Sequence, residues 1–409
     1  MRVGRTQEEM RQRHLSEVLR RVHAEGPLTR AALGERLGLN RSTIMSLIAD
    51  LAGAGLVSEE KPAETGRAGR PSLVVTPEPE RIYGLAFDVA VDGVTAARVG
   101  LGGRILARRA APRPRAVLDL DDVVAVLAEF GRDLAADAGP DAVCVGVGAS
   151  YCGMVRPDGT VRYGPFLGWA DQPFGQDLAA RLGLGLPVEV GNEAHLGAVA
   201  EHTRGAGTGL DDLIYLHGDV GVGGGIIVGG KLLDGAGGYG CEVGHMVVNP
   251  FDGRRCLCGS RGCLEAEVGE EALLDYAGRA HDLVGRDGIR EVVALAEAGD
   301  ARAAEAVDRI GDWLGVGVVN LINLFNPAVV VFGGMLRDLF DGTSPRVRAR
   351  IEAHVLPVSR ERVRLATAAL GDDTTLVGAA ELAFAELLTD PLTTLEARTA
   401  QAARLSRRA

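Results

Sequence analysis

The amino-acid sequence predicts an α/β protein in which a small helical domain precedes a two-lobed body. Apolar residues recur at helical spacing through residues 14–60, and from residue 83 onward strand-like and helix-like segments alternate. The chain has 409 residues, and 46% of them are apolar, which is enough for two or three domains with sizeable cores. These values exclude a chain that is disordered along its whole length.

The charge is distributed unevenly. The formal net charge is −11, yet residues 1–70 contain twelve Arg and Lys against nine Asp and Glu. A basic segment on an acidic body favours contact with nucleic acid through that segment alone. No stretch is apolar enough to cross a membrane and the N-terminus lacks the pattern of a secretory signal, so we expect a cytoplasmic protein without membrane contact.

The N-terminal segment predicts three short helices. The first has an apolar stripe formed by Leu15, Val18, Leu19 and Val22. Gly26-Pro27 ends it, Thr29 is placed to cap the second helix, and Asn40 to cap the third. The apolar stripe of the third helix consists of Ile44, Leu47, Ile48 and Leu51. Two short strands joined by a loop of glycine and arginine residues complete the segment.

Helix, turn, helix and hairpin form the pattern of a winged helix-turn-helix domain, which places one helix in the major groove. We predict that residues 1–78 bind double-stranded operator DNA. The contacts predicted at the start of the third helix are Arg41, Ser42, Thr43 and Ser46. Arg67 and Arg70 in the wing are predicted to reach phosphates or a minor groove. The alternative is a helical subdomain for protein contacts whose polar residues are merely solvated.

The rest of the chain predicts two lobes separated by a cleft. Each half combines strands of a meander with later strands and helices. Strands are predicted at residues 83–89, 95–101, 105–107, 142–147, 188–190, 213–216, 225–228 and 329–332, and helices at 121–136, from about 195, and through 270–325. We assign residues 79–193 and 194–386 to the lobes, and residues 387–409, with few apolar side chains, to a surface tail.

Several motifs together resemble the ROK family of repressors, open reading frames and sugar kinases. They are Gly223-Gly224-Gly225, residues 240–245, the cysteine segment 256–265, Phe332-Gly333-Gly334 and Gly371-Asp372-Asp373. The resemblance covers roughly residues 14–385 and implies an actin-like, sugar-kinase-like body of the ribonuclease H-like type. Family members with a winged N-terminal domain are sugar-responsive transcription factors. The glycine segment alone predicts either a phosphate loop or a tight turn.

Departures from the family's kinase pattern predict that phosphoryl transfer is lost. Family kinases carry Asp-x-Gly-Gly-Thr in the first phosphate loop, whereas Asp88 is followed here by residues 89–93 without the glycine pair. Val220 stands where the second loop has a threonine. The catalytic Asp of an Asn-Asp pair is replaced by Glu193, and a displacement of ~1 Å can cost on the order of 100-fold in rate.

The resemblance also implies a pocket for a monosaccharide effector. The positions that ring the sugar in the family are occupied here by Asn192, Glu193, Glu242, His245 and Glu265. Gly168-Trp169 matches a loop that would shape the pocket wall, and His195 replaces an asparagine common in the kinases. Carboxylates and amides of this kind accept from and donate to several hydroxyls at once.

Three cysteines in a short segment predict a metal site. Cys256, Cys258 and Cys263, with His245, form a Cys₃His set suited to tetrahedral zinc. Because the same segment carries Glu265, the zinc is expected to be structural and to hold the sugar contacts in register. Free buried thiols are the alternative, and the remaining three cysteines are expected to be small core residues.

The combined prediction is a sugar-responsive repressor without kinase activity, acting as a homodimer on an operator with two half-sites. The apolar residues of segment 313–322 are expected to supply either a dimer surface or core. One alternative is a sugar kinase that carries an added DNA-binding domain. Another is a body that binds a protein of the phosphotransfer system in place of a sugar.

Overall fold

The computed structural model describes residues 7–61, 72–279 and 285–407. It confirms an α/β chain with a small N-terminal domain and two larger lobes, each built on its own five-stranded sheet. The predicted wing contacts Arg67 and Arg70 lie outside the described residues.

The N-terminal domain, residues 7–77, has the predicted helices and hairpin. Its elements are α1 (Gln7–Glu25), β1 (Leu28–Thr29), α2 (Arg30–Leu37), α3 (Arg41–Gly53), β2 (Val57–Glu60) and β3 (Val74–Pro77). Both predicted caps form, since Thr29 accepts from the Ala32 amide at 3.1 Å and Asn40 accepts from the Thr43 amide at 2.9 Å. The predicted stripes of α1 and α3 pack together as one core. β3 pairs antiparallel with β1 and β2.

The first lobe begins with an antiparallel meander that continues into parallel strands. Its elements are β4 (Ile82–Ala90), β5 (Gly93–Gly100), β6 (Ile105–Pro112), α4 (Leu120–Ala136), β7 (Val143–Tyr151), β8 (Met154–Val155), β9 (Val161–Gly164), β10 (Trp169–Gln172), α5 (Phe174–Leu182) and β11 (Val188–Asn192). The main sheet has the order β11-β7-β4-β5-β6. The short strands β8, β9 and β10 form a separate sheet that the sequence did not predict.

The second lobe repeats the same strand order. Its elements are α6 (Glu193–Arg204), β12 (Leu213–Gly218), β13 (Val222–Val228), β14 (Lys231–Leu232), α7 (Leu264–Val268), α8 (Glu270–Ala277), α9 (Arg286–Glu297), α10 (Ala301–Phe325), β15 (Val329–Gly334), α11 (Met335–Asp338), α12 (Phe340–His354), α13 (Pro357–Arg360) and β16 (Arg364–Thr367). Two further helices follow it in the chain, α14 (Thr374–Thr389) and α15 (Pro391–Ser406). The sheet runs β14-β13-β12-β15-β16, again with an antiparallel meander followed by two parallel strands. This duplicated order is that of a ribonuclease H-like pair of lobes.

The prediction of a surface tail at residues 387–409 is wrong for most of that segment. Helix α15 packs on the first lobe and on α14. Its inward face has the spacing i, i+3, i+4 and i+7, formed by Pro391, Thr394, Leu395 and Arg398. Gln401 anchors it further by donating from Nε2 to the Leu184 carbonyl at 2.9 Å. One narrow face is enough to dock a helix, so a low apolar fraction did not reveal it.

Helix α14 returns from the second lobe to cover the first sheet. A side chain at Gly146 or Gly148 of β7 would collide with the α14 backbone at Ala383 or Ala379, so the helix lies directly on the strand. One apolar cluster consequently joins the N-terminal domain, the first sheet, α14 and α15. Segment 313–322 lies within α10, and most of its apolar residues are buried in the core of the second lobe. Within the described residues, no helix is long and apolar enough to span a membrane.

Candidate functional site

A cleft opens between the two lobes, and the five predicted sugar contacts all line it. They are Asn192, Glu193, Glu242, His245 and Glu265. The end of β11 supplies the first of these residues and the start of α6 the second. Glu242 directly precedes the short turn Val243–His245, which supplies His245, and helix α7 supplies Glu265. Residues 73 positions apart in the chain thus face one space.

Asn192 is fixed where the parallel strand β11 ends. Its Oδ1 accepts from the amides of Ala194 and His195 at 2.9 and 3.1 Å and so caps α6. Its Nδ2 donates to the Gly153 carbonyl at 3.0 Å. These bonds hold the first turn of α6, and with it Glu193, against the cleft.

Glu265 connects the cleft to the cysteine segment. Its Oε2 lies 3.4 Å from the Val222 amide, and its Oε1 lies 3.3 Å from Cys256 Sγ and 3.9 Å from His245 Nδ1. A side chain at position 221 would collide with the Glu265 carboxylate, so Gly221 allows this approach. The absence of a side chain at Gly221 therefore makes room for the Glu265 carboxylate.

Carboxyl groups crowd the base of the cleft. Burial, with the neighbouring charges of Asp219 and Asp88, raises the pKa of Glu193 well above its usual value. Burial and Asp92 raise the pKa of Asp219 to about 6, although Arg115 opposes the shift. Burial also raises the pKa of Glu242. A bound hydroxyl-rich ligand would meet both acceptors and protonated donors in this group.

The two loops that would hold phosphates in a kinase take another form. Ala90 pairs with Gly93, so Val91 and Asp92 form a tight hairpin turn between β4 and β5. Val91 is 5% exposed, and it lines the cleft together with Val220. Arg115 is already engaged, since its Nη1 donates to both oxygens of Glu270 at 2.8 and 2.9 Å. Two apolar side chains thus occupy this end of the cleft, and Arg115, which lies 3.9 Å from the cleft residue Asp219, is already paired with Glu270.

Part of the cleft wall was not predicted from the sequence. It comes from the end of β7 and the small sheet β8–β10, through Cys152, Gly153, Met154, Tyr163, Pro165 and Phe166. Trp169 was expected to shape the cleft wall, but it does not line the cleft. It is 3% exposed, stacks on Tyr151 at 5.1 Å and donates to the Leu118 carbonyl at 2.7 Å. Only the aromatic residues at 163 and 166 could have suggested this wall.

His195 also points away from the cleft lining. It is 8% exposed, and its Nε2 lies 3.0 Å from the Gly240 carbonyl. Burial lowers the pKa of His195, so the neutral ring donates to that carbonyl. It ties α6 to the segment that carries Glu242.

The four predicted metal ligands come together. The donor atoms of His245, Cys256, Cys258 and Cys263 all lie within 4.8 Å of one another. Cys256 Sγ is 3.6 Å from His245 Nδ1, and Cys258 Sγ is 3.7 Å from Cys263 Sγ. Tetrahedral zinc with thiolate and imidazole ligands separates its donors by roughly 3.5 to 3.8 Å. The residue types and their proximity therefore fit such an ion.

The candidate DNA contacts lie at the outer side of α3. Arg41, Ser42 and Ser46 are exposed and Thr43 is partly exposed. Ser42 Oγ donates to Asn40 Oδ1 at 2.7 Å, which orders the first turn. Arg11 of α1 extends this surface, because its Nη1 lies 3.5 Å from Ser46 Oγ. Sequence spacing did not indicate Arg11, which reaches α3 only through the fold.

The description "ROK family" belongs to a family model that matches residues 85–386, well over half of the chain. The chain belongs to the ROK family. A second model, of the MarR family, matches residues 16–68 in the N-terminal domain. The chain thus joins a winged helix-turn-helix DNA-binding domain to a ROK body, which is the organisation of a sugar-responsive transcriptional repressor.

Relatives of both kinds occur within the ROK family. The xylose repressor of Bacillus subtilis is 26% identical over 373 residues, which cover 91% of this chain and 94% of the repressor. A glucokinase of Streptomyces coelicolor is 33% identical over 319 residues, which cover 73% of this chain and 98% of the kinase. The kinase match leaves out about a quarter of the chain, in keeping with an added domain.

Solved structures show the same division. A ROK family transcriptional regulator, described as a homologue of the E. coli MLC protein, has a TM-score of 0.76 at 26% identity and covers 94% of this chain and 99% of its own. A ROK family glucokinase from Streptomyces griseus in complex with glucose and AMPPNP has a TM-score of 0.63 at 29% identity. It covers 73% of this chain and 98% of its own.

Proposed function

We propose that this protein is a repressor whose hold on operator DNA changes when a monosaccharide enters the interlobe cleft. The observation that carries the proposal is the pairing, in one chain, of an exposed polar face on α3 with a cleft ringed by five polar side chains. Sugar binding would favour one arrangement of the lobes and shift the population of DNA-binding states accordingly.

In the cleft, each polar group has a distinct task. The carboxyls of Glu193, Glu242 and Glu265 accept from or donate to sugar hydroxyls, and Asn192 keeps the first of them in place through its cap. His245 has Nδ1 among the cysteine sulfurs, which leaves Nε2 for a hydroxyl. Several such bonds made at once reject ligands that lack the hydroxyls, because the buried polar groups then stay unpaired.

We assign a structural zinc ion to His245, Cys256, Cys258 and Cys263. Zinc with four protein ligands supplies folding energy and keeps no open position for a reaction. Here it would hold the loop between His245 and Glu265, so both ends of that loop stay in the cleft. The 3.9 Å between His245 Nδ1 and Glu265 Oε1 supports this joint placement.

Operator binding is assigned to Arg41, Ser42, Thr43 and Ser46 of α3, with Arg67 and Arg70 of the wing on phosphates or a minor groove. A major-groove helix of this kind reads one half-site, and two copies of the chain would read two. We therefore propose a homodimer on the DNA. Light scattering on the free protein and on its operator complex measures the number of chains per operator. One chain per operator would contradict the homodimer.

The proposed repressor does not catalyse phosphoryl transfer. Val91 and Val220 stand at the end of the cleft where glycine amides and a hydroxyl would hold phosphate oxygens. The competing function is a sugar kinase, favoured by the 33% identity to a glucokinase and by the carboxyl of Glu193 in the cleft. Incubation with ATP, magnesium and a panel of hexoses and pentoses decides between them. Steady formation of sugar phosphate at ordinary turnover would contradict the proposal that the protein is a repressor without kinase activity.

The test of the sugar response uses the melting temperature of the full chain. A ligand that binds only the folded state raises the melting temperature, by an amount that depends on the ratio of the ligand concentration to its Kd. We expect at least one common monosaccharide to raise it and to change the affinity for a DNA duplex selected by the protein from a random pool. If no sugar does either, whereas a phosphotransfer-system protein binds the body, the effector is a protein.

A further inference from the structure

Helix α6 runs from the interlobe cleft to the DNA-binding domain. Its first residue, Glu193, lines the cleft, and its last residue, Arg204, contacts α1. Twelve residues of helix span about 18 Å. One rigid element therefore has a sugar-facing end and an end at the DNA-binding domain.

Three parts of the fold meet at the guanidinium of Arg204. Its Nη1 donates to the carbonyl of His23 in the DNA-binding domain at 2.5 Å and to the carbonyl of Gly102 in the first lobe at 2.9 Å. Its Nε donates to Glu381 of α14 at 2.9 Å. The planar guanidinium has its donors in a fixed geometry, so only one relative placement of these parts satisfies all three.

The imidazole of His23 closes the junction. It is 1% exposed; the Gly102 amide donates to its Nδ1 at 3.0 Å, and its Nε2 lies 3.2 Å from Glu381. Burial lowers the pKa of His23, so the ring is neutral; it accepts at Nδ1 from the Gly102 amide, and Nη2 of Arg204 lies against its Nε2. Burial alone would raise the pKa of Glu381, but His23 and Arg204 lower it to about 2. The pair of Arg204 and Glu381 is therefore charged and buried together.

Helix α6 is tightly packed on two sides along its length. Gly225 of β13 lies so close to Ala194 and Ala198 that a methyl group would not fit between strand and helix. On the other side, Gly378 of α14 lies against the Leu196 carbonyl in the same way. Packed interfaces without slack shift as units and do not deform continuously.

We propose that Arg204 couples the sugar cleft to the DNA-binding domain. A displacement of α6 when sugar engages Glu193 would move the guanidinium away from the carbonyls of His23 and Gly102, and so change how α1 is seated on the body. Arg204 is a positioning residue that touches neither ligand. The inference rests on the proposed function, because it requires that sugar binding and operator binding are linked.

The test variant is Arg204→Met combined with Glu381→Gln, which removes both charges and so leaves no buried ion unpaired. The control is Arg20→Ala, which removes a hydrogen bond of 2.9 Å from α1 to Thr389 across the same junction without touching α6. Operator Kd is measured for each full-length protein with and without saturating D-glucose or D-xylose. Sugar Kd is measured with and without operator.

In the wild type we expect sugar to change operator Kd by about 5- to 150-fold, and operator to change sugar Kd by the same factor. In the paired variant both factors should fall below about twofold, while the control keeps them. A purely structural role for Arg204 would change operator Kd equally with and without sugar, and leave the ratio intact. That result overturns the inference.

If the paired variant does not fold, Arg204→Lys replaces it, because one ammonium group cannot serve the same planar set of acceptors. Its ratio should fall at least threefold below the wild-type ratio, and an unchanged ratio contradicts the coupling. If the wild type itself responds to neither sugar, while another monosaccharide raises its melting temperature, that monosaccharide becomes the probe. If no monosaccharide binds, the proposed function and the inference fail together.

Discussion

At the scale of single residues, the cleft is lined by carboxyl groups whose pKa values are raised by burial. Glu193, Asp219 and Glu242 each have a raised pKa, chiefly because burial removes them from water, and nearby carboxylates add to each shift. Such a group of carboxyls is unfavourable without a ligand. A sugar that pairs with them relieves part of that cost.

Replacement of Glu242 by alanine should abolish the sugar response and leave operator binding intact. Its carboxyl lines the cleft and lies far in the fold from α3, so only the sugar contact is lost. A hydrogen bond to a charged group contributes about 1.5–3 kcal/mol, so sugar Kd should weaken about 10- to 100-fold. Calorimetry with the responsive sugar measures this. The exposed Glu271→Ala is the control, and unaltered sugar affinity in Glu242→Ala would remove this residue from the site.

The charge of Asp219 should destabilise the protein above about pH 6. Its pKa rises from 3.8 to about 6 on folding, so the folded state disfavours the ionised form. Stability is therefore lost as pH rises between these values, by about 3 kcal/mol at most. Asp219→Asn should be more stable than the wild type at about pH 8, and this advantage should shrink toward pH 4. Urea unfolding across this range measures it. Exposed Asp211→Asn should show no such trend, and an advantage for Asp219→Asn that grows toward low pH would contradict the assignment.

At the scale of elements, short loops and helices place the chemistry. The segment from 245 to 265 has little regular structure, yet it brings three cysteines, one histidine and one glutamate within reach of one another. The proposed zinc ion would provide internal support for such a loop. Helix α3 needs no such ligand, because its own cap and apolar stripe hold it in place.

Loss of one zinc ligand should weaken sugar binding through the loop. Cys258→Ser is expected to lower bound zinc, measured by atomic emission, from about one ion per chain to a small fraction. Sugar Kd should rise about 10- to 100-fold, because His245 and Glu265 lose their common support. Cys241→Ser, outside the cluster, is the matched control. Full zinc content in Cys258→Ser would show that this thiol is not a ligand.

Removal of the guanidinium of Arg41 should weaken operator binding at constant sugar affinity. The residue is exposed at the start of α3, where base edges and phosphates are met. The expected loss is about 1–3 kcal/mol, measured as operator Kd in a salt series. Arg13→Ala, an exposed arginine on α1 paired with Glu17, serves as the control. Equal losses in both variants would refute a specific contact at α3.

At the scale of the whole molecule, the C-terminal helices join the parts that must communicate. Helix α14 lies on the first sheet, on α6 and on α1, and α15 covers the same cluster from outside. The DNA-binding domain is therefore docked on the body through a continuous apolar core. The proposed effect of sugar on operator binding would act through this core.

Truncation of Leu395 should destabilise the entire chain. This side chain is 6% exposed within the cluster shared by the N-terminal domain and the first lobe. Leu395→Ala is expected to cost about 2–5 kcal/mol in the free energy of unfolding, measured with urea. Leu356→Ala, at a side chain that is 64% exposed, should change it by less than about 0.5 kcal/mol. A cost as small for Leu395→Ala would mean that α15 is not docked in solution.

The sequence by itself determined the elements whose signals are local. Caps at Thr29 and Asn40, the stripe of α3 and the alternation of strands and helices all appear in the structure, because each depends on neighbours a few residues away. The family motifs further predicted the five cleft residues and the four candidate metal ligands.

Only the tertiary structure decided which distant residues share a surface. The docking of α15, the cleft wall from β8 to β10, the burial of Trp169 and the junction at Arg204 all depend on contacts between segments far apart in the chain. Such contacts have no periodic signature, since one narrow helix face or one arginine is enough to make them. The sequence therefore predicted the two candidate sites, and the packing decided how the segments between them lie against one another.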